Sequence, residues 1–404
     1  MTSVCVAELG ARGDGIADID GRRVYVPGAA PGDIAYFEDD KLVRLDPGPE
    51  RAEMRCPHYG PCGGCNLQHV SDETYATWLK TPIRSALAQH GLDADILPAI
   101  VSPPQSRRRA TFVARWSGGR LQVGFSAARS HHTVDLDACA TISAEIVADI
   151  PAFRRFIDKD LAKKADGRAH LTQTDQGLAI TLSGIDVDDV TVRLEAAALA
   201  ERLPDCCSIS DADGEILWQA QLPTITLSGV RVPLPSSAFL QATKDGETAL
   251  INCVKTLMGD AKRIADIFSG LGTFSYALAH KARVDAFEGS GAAISAMQRA
   301  QRPKGMKSVT LHHRDLFRRP LAADELRTFE AVVIDPPRAG AKAQSTNLAN
   351  ANVDIIAAVS CNPATFARDA RLLVDGGYSL GAIQPVGQFL WSTHVELVAG
   401  FSRR

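Results

Sequence analysis

Asp335-Pro336-Pro337-Arg338-Ala339-Gly340 and, further on, Ser360-Cys361-Asn362-Pro363 are the two stretches whose reading decides the fold. Each follows a short apolar run rich in β-branched residues, 331–334 and 353–359, of the length expected for buried strands of a parallel sheet. Open sheets of that kind hold ligands at the carboxyl ends of their strands, so an acid and a thiol are expected on one rim. Asn362 is a good helix N-cap and Pro363 a good first helical residue, which predicts a helix over 364–373 with Cys361 just outside its N-terminus. Backbone amides there are expected to favour the thiolate. Downstream, His394-Val395-Glu396-Leu397 opens another apolar strand and brings a carboxylate to the same rim. A lone cysteine is most often a small buried hydrophobe. The convergence of three segments is what makes Cys361 a candidate nucleophile.

Ahead of these motifs the pattern alternates. A helix ends at Met258, followed by a strand over 263–268, a helix over 274–280, a strand over 284–288, a helix over 292–301 and a strand over 308–312. That alternation predicts a doubly wound α/β domain. In Asp266-Ile267-Phe268-Ser269-Gly270-Leu271-Gly272-Thr273 two glycines stand where a strand turns into a helix, so a ligand can approach the backbone closely. Glu288 ends the next strand and suits two ribose hydroxyls; Asp315 follows the third and can accept from an adenine amino group. The loop has no third glycine and no phosphate-binding lysine. S-adenosylmethionine therefore fits better than a dinucleotide or a nucleoside triphosphate, which points to methyl transfer.

Residues 1–50 carry closely spaced glycines (Gly10, Gly13, Gly15, Gly21, Gly28, Gly32) between short strand-like segments, the punctuation of a small β-barrel. Residues 51–235 begin with Cys56-Pro57-His58-Tyr59-Gly60-Pro61-Cys62-Gly63-Gly64-Cys65, a spacing that suggests a metal. The best fourth ligand is Cys139, and spacing leaves zinc and an iron–sulfur cluster equally open. A helix is expected over 71–91. Arg107-Arg108-Arg109 open a strand over 110–116; with Lys80, Arg84, Arg115, Arg120 and Arg129 they form either a solvated edge or a face that holds phosphates. Segments 178–182, 190–194, 216–218 and 224–227 read as strands, 196–203 as a helix, and Cys206-Cys207 as core.

The 404 residues are 45% hydrophobic and 23% charged, enough for two or three domains with a sizeable core. A net charge of −3 advertises no polyanionic partner globally, so any nucleic-acid surface must be a local patch. Nine unevenly placed cysteines fit metal binding or catalysis better than a secreted disulfide framework. The start has no basic region leading into an apolar core, and no apolar run is long enough to span a bilayer; a cytoplasmic monomer without membrane contact is expected.

Taken together, these motifs resemble the RNA uracil-5 methyltransferases, and within them the iron–sulfur branch that modifies 23S ribosomal RNA. The resemblance runs over nearly the whole chain through Cys56, Cys62, Cys65 and Cys139, Phe239-Leu240-Gln241, the 266–273 loop, the 335–340 and 360–363 loops, and His394 to Glu396. It implies an α/β architecture: a Rossmann-like class I methyltransferase domain at 236–404, a central α+β iron–sulfur domain at 51–235, and a TRAM- or OB-like barrel at 1–50. It also implies a [4Fe-4S] cluster on the four cysteines and S-adenosylmethionine contacts from Gln241, Phe268, Thr273, Glu288, Asp315 and Asp335. Cys361 is then the nucleophile, Glu396 the base, and a 23S rRNA loop the partner. Thr273 departs from the family, where asparagine is frequent, and the barrel is short. A transfer RNA substrate and a non-catalytic metal-dependent RNA-binding protein are the alternatives; an amino-methylating enzyme is disfavoured because Arg338 stands where such enzymes carry an aromatic residue.

Overall fold

The computed structural model describes residues 2–127, 130, 132–157, 167–184, 188–236 and 238–403. Arg129, one of the arginines of the expected basic face, lies outside the described residues.

The catalytic sheet consists of β1 (Arg263–Ile267), β2 (Arg283–Glu288), β3 (Val309–His313), β4 (Ala331–Ile334), β5 (Ile355–Ser360), β6 (Tyr378–Gly387) and β7 (Glu396–Arg403). Their order is β3-β2-β1-β4-β5-β7-β6, and a two-residue strand, Ile100–Val101, lies along the outer edge of β6. The first five strands are parallel, and β7 runs antiparallel between β5 and β6. Strand order reverses between β1 and β4, which makes that crevice the expected ligand position. The all-apolar run of β4 has a simple cause. Val332 and Ile334 enter one hydrophobic core while Ala331 and Val333 enter the core on the opposite face. The doubly wound domain is as expected.

The helix after β5 spans Pro363–Asp375, and the Asn362 side chain accepts from the Ala364 amide at 3.0 Å, so cap and first residue behave as their types predict. Elsewhere two local expectations are overturned. The helix over 71–91 is two helices, Asp72–Trp78 and Lys80–Gln89, that share Leu79 as a cap. Pro82 lacks the N–H that would reach back to the Trp78 carbonyl, so a continuous helix cannot form there. The strand over 190–194 is the start of a helix, Val190–Arg202. Its β-branched residues look strand-like in isolation, but the buried positions Val192, Ala196, Leu199 and Ala200 fall at helical spacing, and that longer period wins.

The central sheet has seven strands, with Arg109–Ser117, Gly167–Thr174 and Gly177–Ser183 in its middle, over a core that includes Phe112, Phe153 and Phe156. The flanks of residues 51–235 pack elsewhere. Leu67, Tyr75, Trp78, Leu79 and Ile83 share a core with Val332, Ile356 and Phe366. The hairpin Thr224–Leu227 and Val230–Pro233 joins the core on the other face of the catalytic sheet. At the N-terminus two three-stranded sheets close over Val6, Ala17, Val26, Ala29, Ala35 and Phe37, a small barrel-like unit. Among the described residues no helix is long and apolar enough to cross a membrane.

Candidate active site

Register brings the candidate nucleophile and base together. Ser360 on β5 lies opposite Leu397 on β7, and because the strands are antiparallel the next step pairs Cys361, one residue on, with Glu396, one residue back. Asp335 follows β4, the other neighbour of β5, and its amide donates to the Ile267 carbonyl at 3.2 Å. The loops that begin at Asp335 and Ser360 are bonded to each other: the Asn362 amide group and the Thr365 hydroxyl donate to the Arg338 carbonyl at 3.0 and 3.2 Å, and Arg368 donates to the Ala339 carbonyl at 3.1 Å. Gly340, at φ +72°, leaves room for this; a Cβ there would stand 2.6 Å from the Asp369 carboxylate.

The electrostatics of this rim contradict one expectation. Burial pushes the Cys361 thiol up to about 11, and Glu396 and Asp335 add to the rise against the opposing Arg338. Helix-terminal amides do not make a thiolate here, because removal from water beside two carboxyl groups outweighs them. Glu396 is 7% exposed, and burial raises its carboxyl to about 7 in spite of Arg338 and Arg109. Asp335 is held well above the carboxylate range by burial, then by Glu396 and Asp266. Asp266 is fully buried and raised to about 7 by burial, with a single side-chain donor, the Ser275 hydroxyl at 2.6 Å. Its Oδ1 and the Ser269 hydroxyl are buried with no hydrogen-bond partner among the described residues.

These orphaned polar atoms border the loop expected to hold the donor. Phe268 takes a left-handed φ of 66°, and the Phe268 and Ser269 amides both donate to the Phe287 carbonyl, at 3.0 and 3.1 Å. Glu288 accepts from the Gly270 amide at 2.9 Å and the Ser290 amide at 2.7 Å, which fixes both carboxylate oxygens while leaving each a free lone pair. Thr273 opens the helix Thr273–Leu278 and is half-buried. Asp315 caps the turn after β3 by accepting from the Phe317 and Arg318 amides at 3.0 and 3.1 Å, and the Phe317 ring lies 5.4 Å from that of Phe268. Phe268, Glu288, Asp315 and Asp335 thus stand at the ends of adjacent strands. Gln241 sits at the end of β6 instead: it is buried, and its side-chain oxygen accepts from Gln388 at 2.8 Å.

The three arginines part company, and both sequence expectations fail at Arg108. Arg108 is buried in an ion pair with Glu247 at 2.6 Å, so it is neither solvated nor open to phosphate. Arg109 lies over the Phe239 ring at 4.8 Å, faces Glu396, and keeps a buried Nε without a partner among the described residues. Arg107 lies 5.2 Å from the Phe389 ring. Nothing in a run of identical residues reveals which one points inward. Asp266 and Ser269 were visible in the glycine loop, yet only the structure shows that they carry buried unpaired atoms.

Cys56, Cys62, Cys65 and Cys139 are free, half-buried and mutually close. Burial raises Cys65 to about 12, and the other three thiols add to it. His58 ties the two segments together through Asp137 at 2.7 Å. Among the described residues, however, no three His, Cys, Asp or Glu side chains close on a position for a single metal ion. The expected metal group is present as four neighbouring thiols and not as a closed ligand set. Four thiols of this kind are the donor chemistry that either tetrahedral zinc or an iron–sulfur cluster takes.

Comparison with known proteins agrees with this geometry. Residues 235–403 match the family model described as tRNA (Uracil-5-)-methyltransferase. An uncharacterized RNA methyltransferase of Rhizobium meliloti is 40% identical over 98% of both chains. The 23S rRNA (uracil(1939)-C(5))-methyltransferase of Dichelobacter nodosus is 29% identical over 99% of this chain and 98% of its own. Among solved structures, the tRNA (uracil-54, C5)-methyltransferase of Pyrococcus abyssi in complex with S-adenosyl-L-homocysteine superposes with a TM-score of 0.72 at 21% identity, covering 99% and 100% of the two chains, a likeness of fold. The chain belongs to the RNA (uracil-5-)-methyltransferase family, transferases that move a methyl group from S-adenosylmethionine to carbon 5 of uracil in RNA.

Proposed function

We propose that this enzyme methylates a uridine in a loop of 23S rRNA through a covalent adduct of Cys361 at carbon 6. The observation that carries the reading is the placement of Cys361 opposite Glu396 across β5 and β7, with Asp335 at the end of the adjoining strand. Uracil carbon 5 is a poor nucleophile on its own. Cys361 sulfur, giving up its proton to solvent water, forms a bond to carbon 6, and the electrons of the 5,6 double bond move into an enolate. Carbon 5 then takes the methyl group, which leaves the sulfonium of the donor as S-adenosylhomocysteine departs. Glu396 removes the remaining proton from carbon 5; that electron pair re-forms the double bond as the carbon–sulfur bond breaks and the thiolate leaves. A carboxyl raised to about 7 suits a base that works near neutral pH. The donor would rest on Phe268, Thr273, Glu288, Asp315, Asp335 and Gln241, beside the unpaired atoms of Asp266 and Ser269.

The target base must leave its stack to reach Cys361, at a cost of about a few kcal/mol that is smallest in a loop. The ribosomal assignment is supported by the end-to-end alignment with the Dichelobacter nodosus enzyme. Cys56, Cys62, Cys65 and Cys139 would hold a [4Fe-4S] cluster, which supplies a fixed covalent node between the cysteine loop and the segment around Cys139. The protein acts in the cytoplasm as a monomer. The test is to incubate purified enzyme and labelled donor separately with unmodified ribosomal and transfer RNA, then map 5-methyluridine. Product in 23S rRNA is the expected result, and product confined to transfer RNA overturns the substrate. Iron and sulfide analysis of anaerobically purified protein is expected to return about four of each per chain; one equivalent of zinc overturns the cluster.

A further inference from the structure

Glu396 is the first residue of β7, so no earlier residue of that strand fixes where its carboxylate lies along β5. Its position depends on the preceding loop, residues 388–395; Gln388 at its start is held by Gln241, and its middle rests on residues 65–75. The Tyr75 hydroxyl donates to the Phe389 carbonyl at 3.2 Å. The Cys65 sulfur lies 4.0 Å from the Leu390 carbonyl. The Asn66 and Leu67 amides both donate to the Trp391 carbonyl, at 2.8 and 2.9 Å. The Phe389 and Trp391 carbonyls are thus met by donors from residues 65–75, and the indole N–H of Trp391 donates to Asp72 of the same segment at 3.2 Å. Trp391 has φ +57°, a region that bulky residues rarely adopt, so the loop holds its shape only while these contacts hold it.

We propose that residues 65–75, which begin at the last cysteine of the cysteine loop, position the Glu396 carboxylate for the final proton abstraction, with Tyr75 and the Asn66 amide as positioning groups. The inference rests on the covalent reading above and adds to it a division of labour. Addition to carbon 6 and methyl transfer need Cys361 and the donor; elimination alone needs Glu396. Here the proton leaves carbon 5 for the Glu396 carboxylate, the double bond re-forms and the carbon–sulfur bond breaks. A base must stand within hydrogen-bond reach of its proton, and displacement by about 1 Å can slow a step up to about 100-fold. A loosened brace therefore stalls the enzyme after methyl transfer and leaves RNA and donor binding alone.

The test uses full-length Tyr75→Phe, which keeps the ring in the core and deletes one hydroxyl, and Asn66→Pro, which deletes one of the two amides on Trp391; Asn66→Ala, with its amide intact and its side chain exposed, is the control. Turnover, KM for RNA and the fraction of enzyme in a denaturation-resistant, methyl-labelled RNA adduct are measured beside Glu396→Gln. Tyr75→Phe is expected to lose about tenfold in kcat with KM within about twofold, and its adduct to rise toward the Glu396→Gln level. Asn66→Pro should do the same, with Asn66→Ala like the parent. If Glu396→Gln traps adduct while Tyr75→Phe turns over normally or slows without trapping it, the positioning role is refuted and the covalent mechanism stands. If Glu396→Gln traps nothing, the covalent mechanism falls and this role with it.

Discussion

Asp33 in the N-terminal barrel and Asp266 in β1 are both 0% exposed, yet their carboxyl groups lie on opposite sides of the ordinary range. Burial acts on each in the upward direction. Around Asp33 it is outweighed: the Ala30 and Gly48 amides donate at 2.6 and 2.7 Å, and Arg51 closes a two-pronged contact at 2.5 and 3.1 Å. Asp266 has one side-chain donor, an orphaned Oδ1 and a like charge in Glu288 nearby, so burial carries it to about 7. Fewer donors and deeper removal from water together separate Asp266 from Asp33, a carboxylate that holds the barrel to the following segment. The rest of the catalytic rim follows Asp266: Asp335, Cys361 and Glu396 are all raised with burial as the leading cause.

The comparison can be tested most severely at the rim. Cys361→Ala is expected to abolish turnover while donor affinity, measured by calorimetry, stays within about twofold, because the thiol acts on RNA; substantial residual methylation would show that the strained rim is not the catalytic one. Next in size is the barrel. Asp33→Ala leaves the Arg51 charge without its buried partner and should cost about 3–5 kcal/mol in denaturant unfolding, whereas Asp266→Asn should lose donor affinity without a comparable loss of stability. Equal destabilisation by the two would erase the distinction.

The two regions should also respond oppositely to pH. Asp33 has a depressed carboxyl, so its contribution is present above its unfolded value of 3.8 and lost as pH falls through the lower folded one. Glu396 and Asp266 are raised, so their contribution is complete below 4.5 and 3.8 and is lost as pH rises toward about 7. These two groups should therefore lower the unfolding free energy as pH rises from about 4 to about 7, and Glu396→Gln should reduce that fall by about 3 kcal/mol relative to the parent. An unchanged slope would mean the rim is not strained. The smallest effect is expected at Cys206→Ser, in the core of the central sheet, where bound iron should equal that of the parent while Cys65→Ser loses it.

Residues whose roles depend on near neighbours were legible in advance. Asn362 and Pro363 start their helix as their side chains dictate, the alternation from Thr248 onward gave the doubly wound sheet, and the glycine loop lies at its strand end. Where reading failed, a longer-range constraint had won: the helical spacing of Val192, Ala196 and Leu199 over strand-like valines, or Glu247 claiming Arg108.

By itself the sequence determined which chemistry the chain could carry, since a thiol after one strand, carboxylates after others and four spaced cysteines are matters of residue type and order. Tertiary structure alone decided their states. Burial, with Asp335 and Glu396 from other strands adding to it, raises the Cys361 thiol above its ordinary value. Asp266 is strained because folding buried it with too few donors, and Glu396 is aimed because residues 65–75 cross the molecule to hold its loop. Desolvation and Coulomb interactions sum over whatever is near in space, and neighbours in space are set by strand order and register rather than by position in the chain.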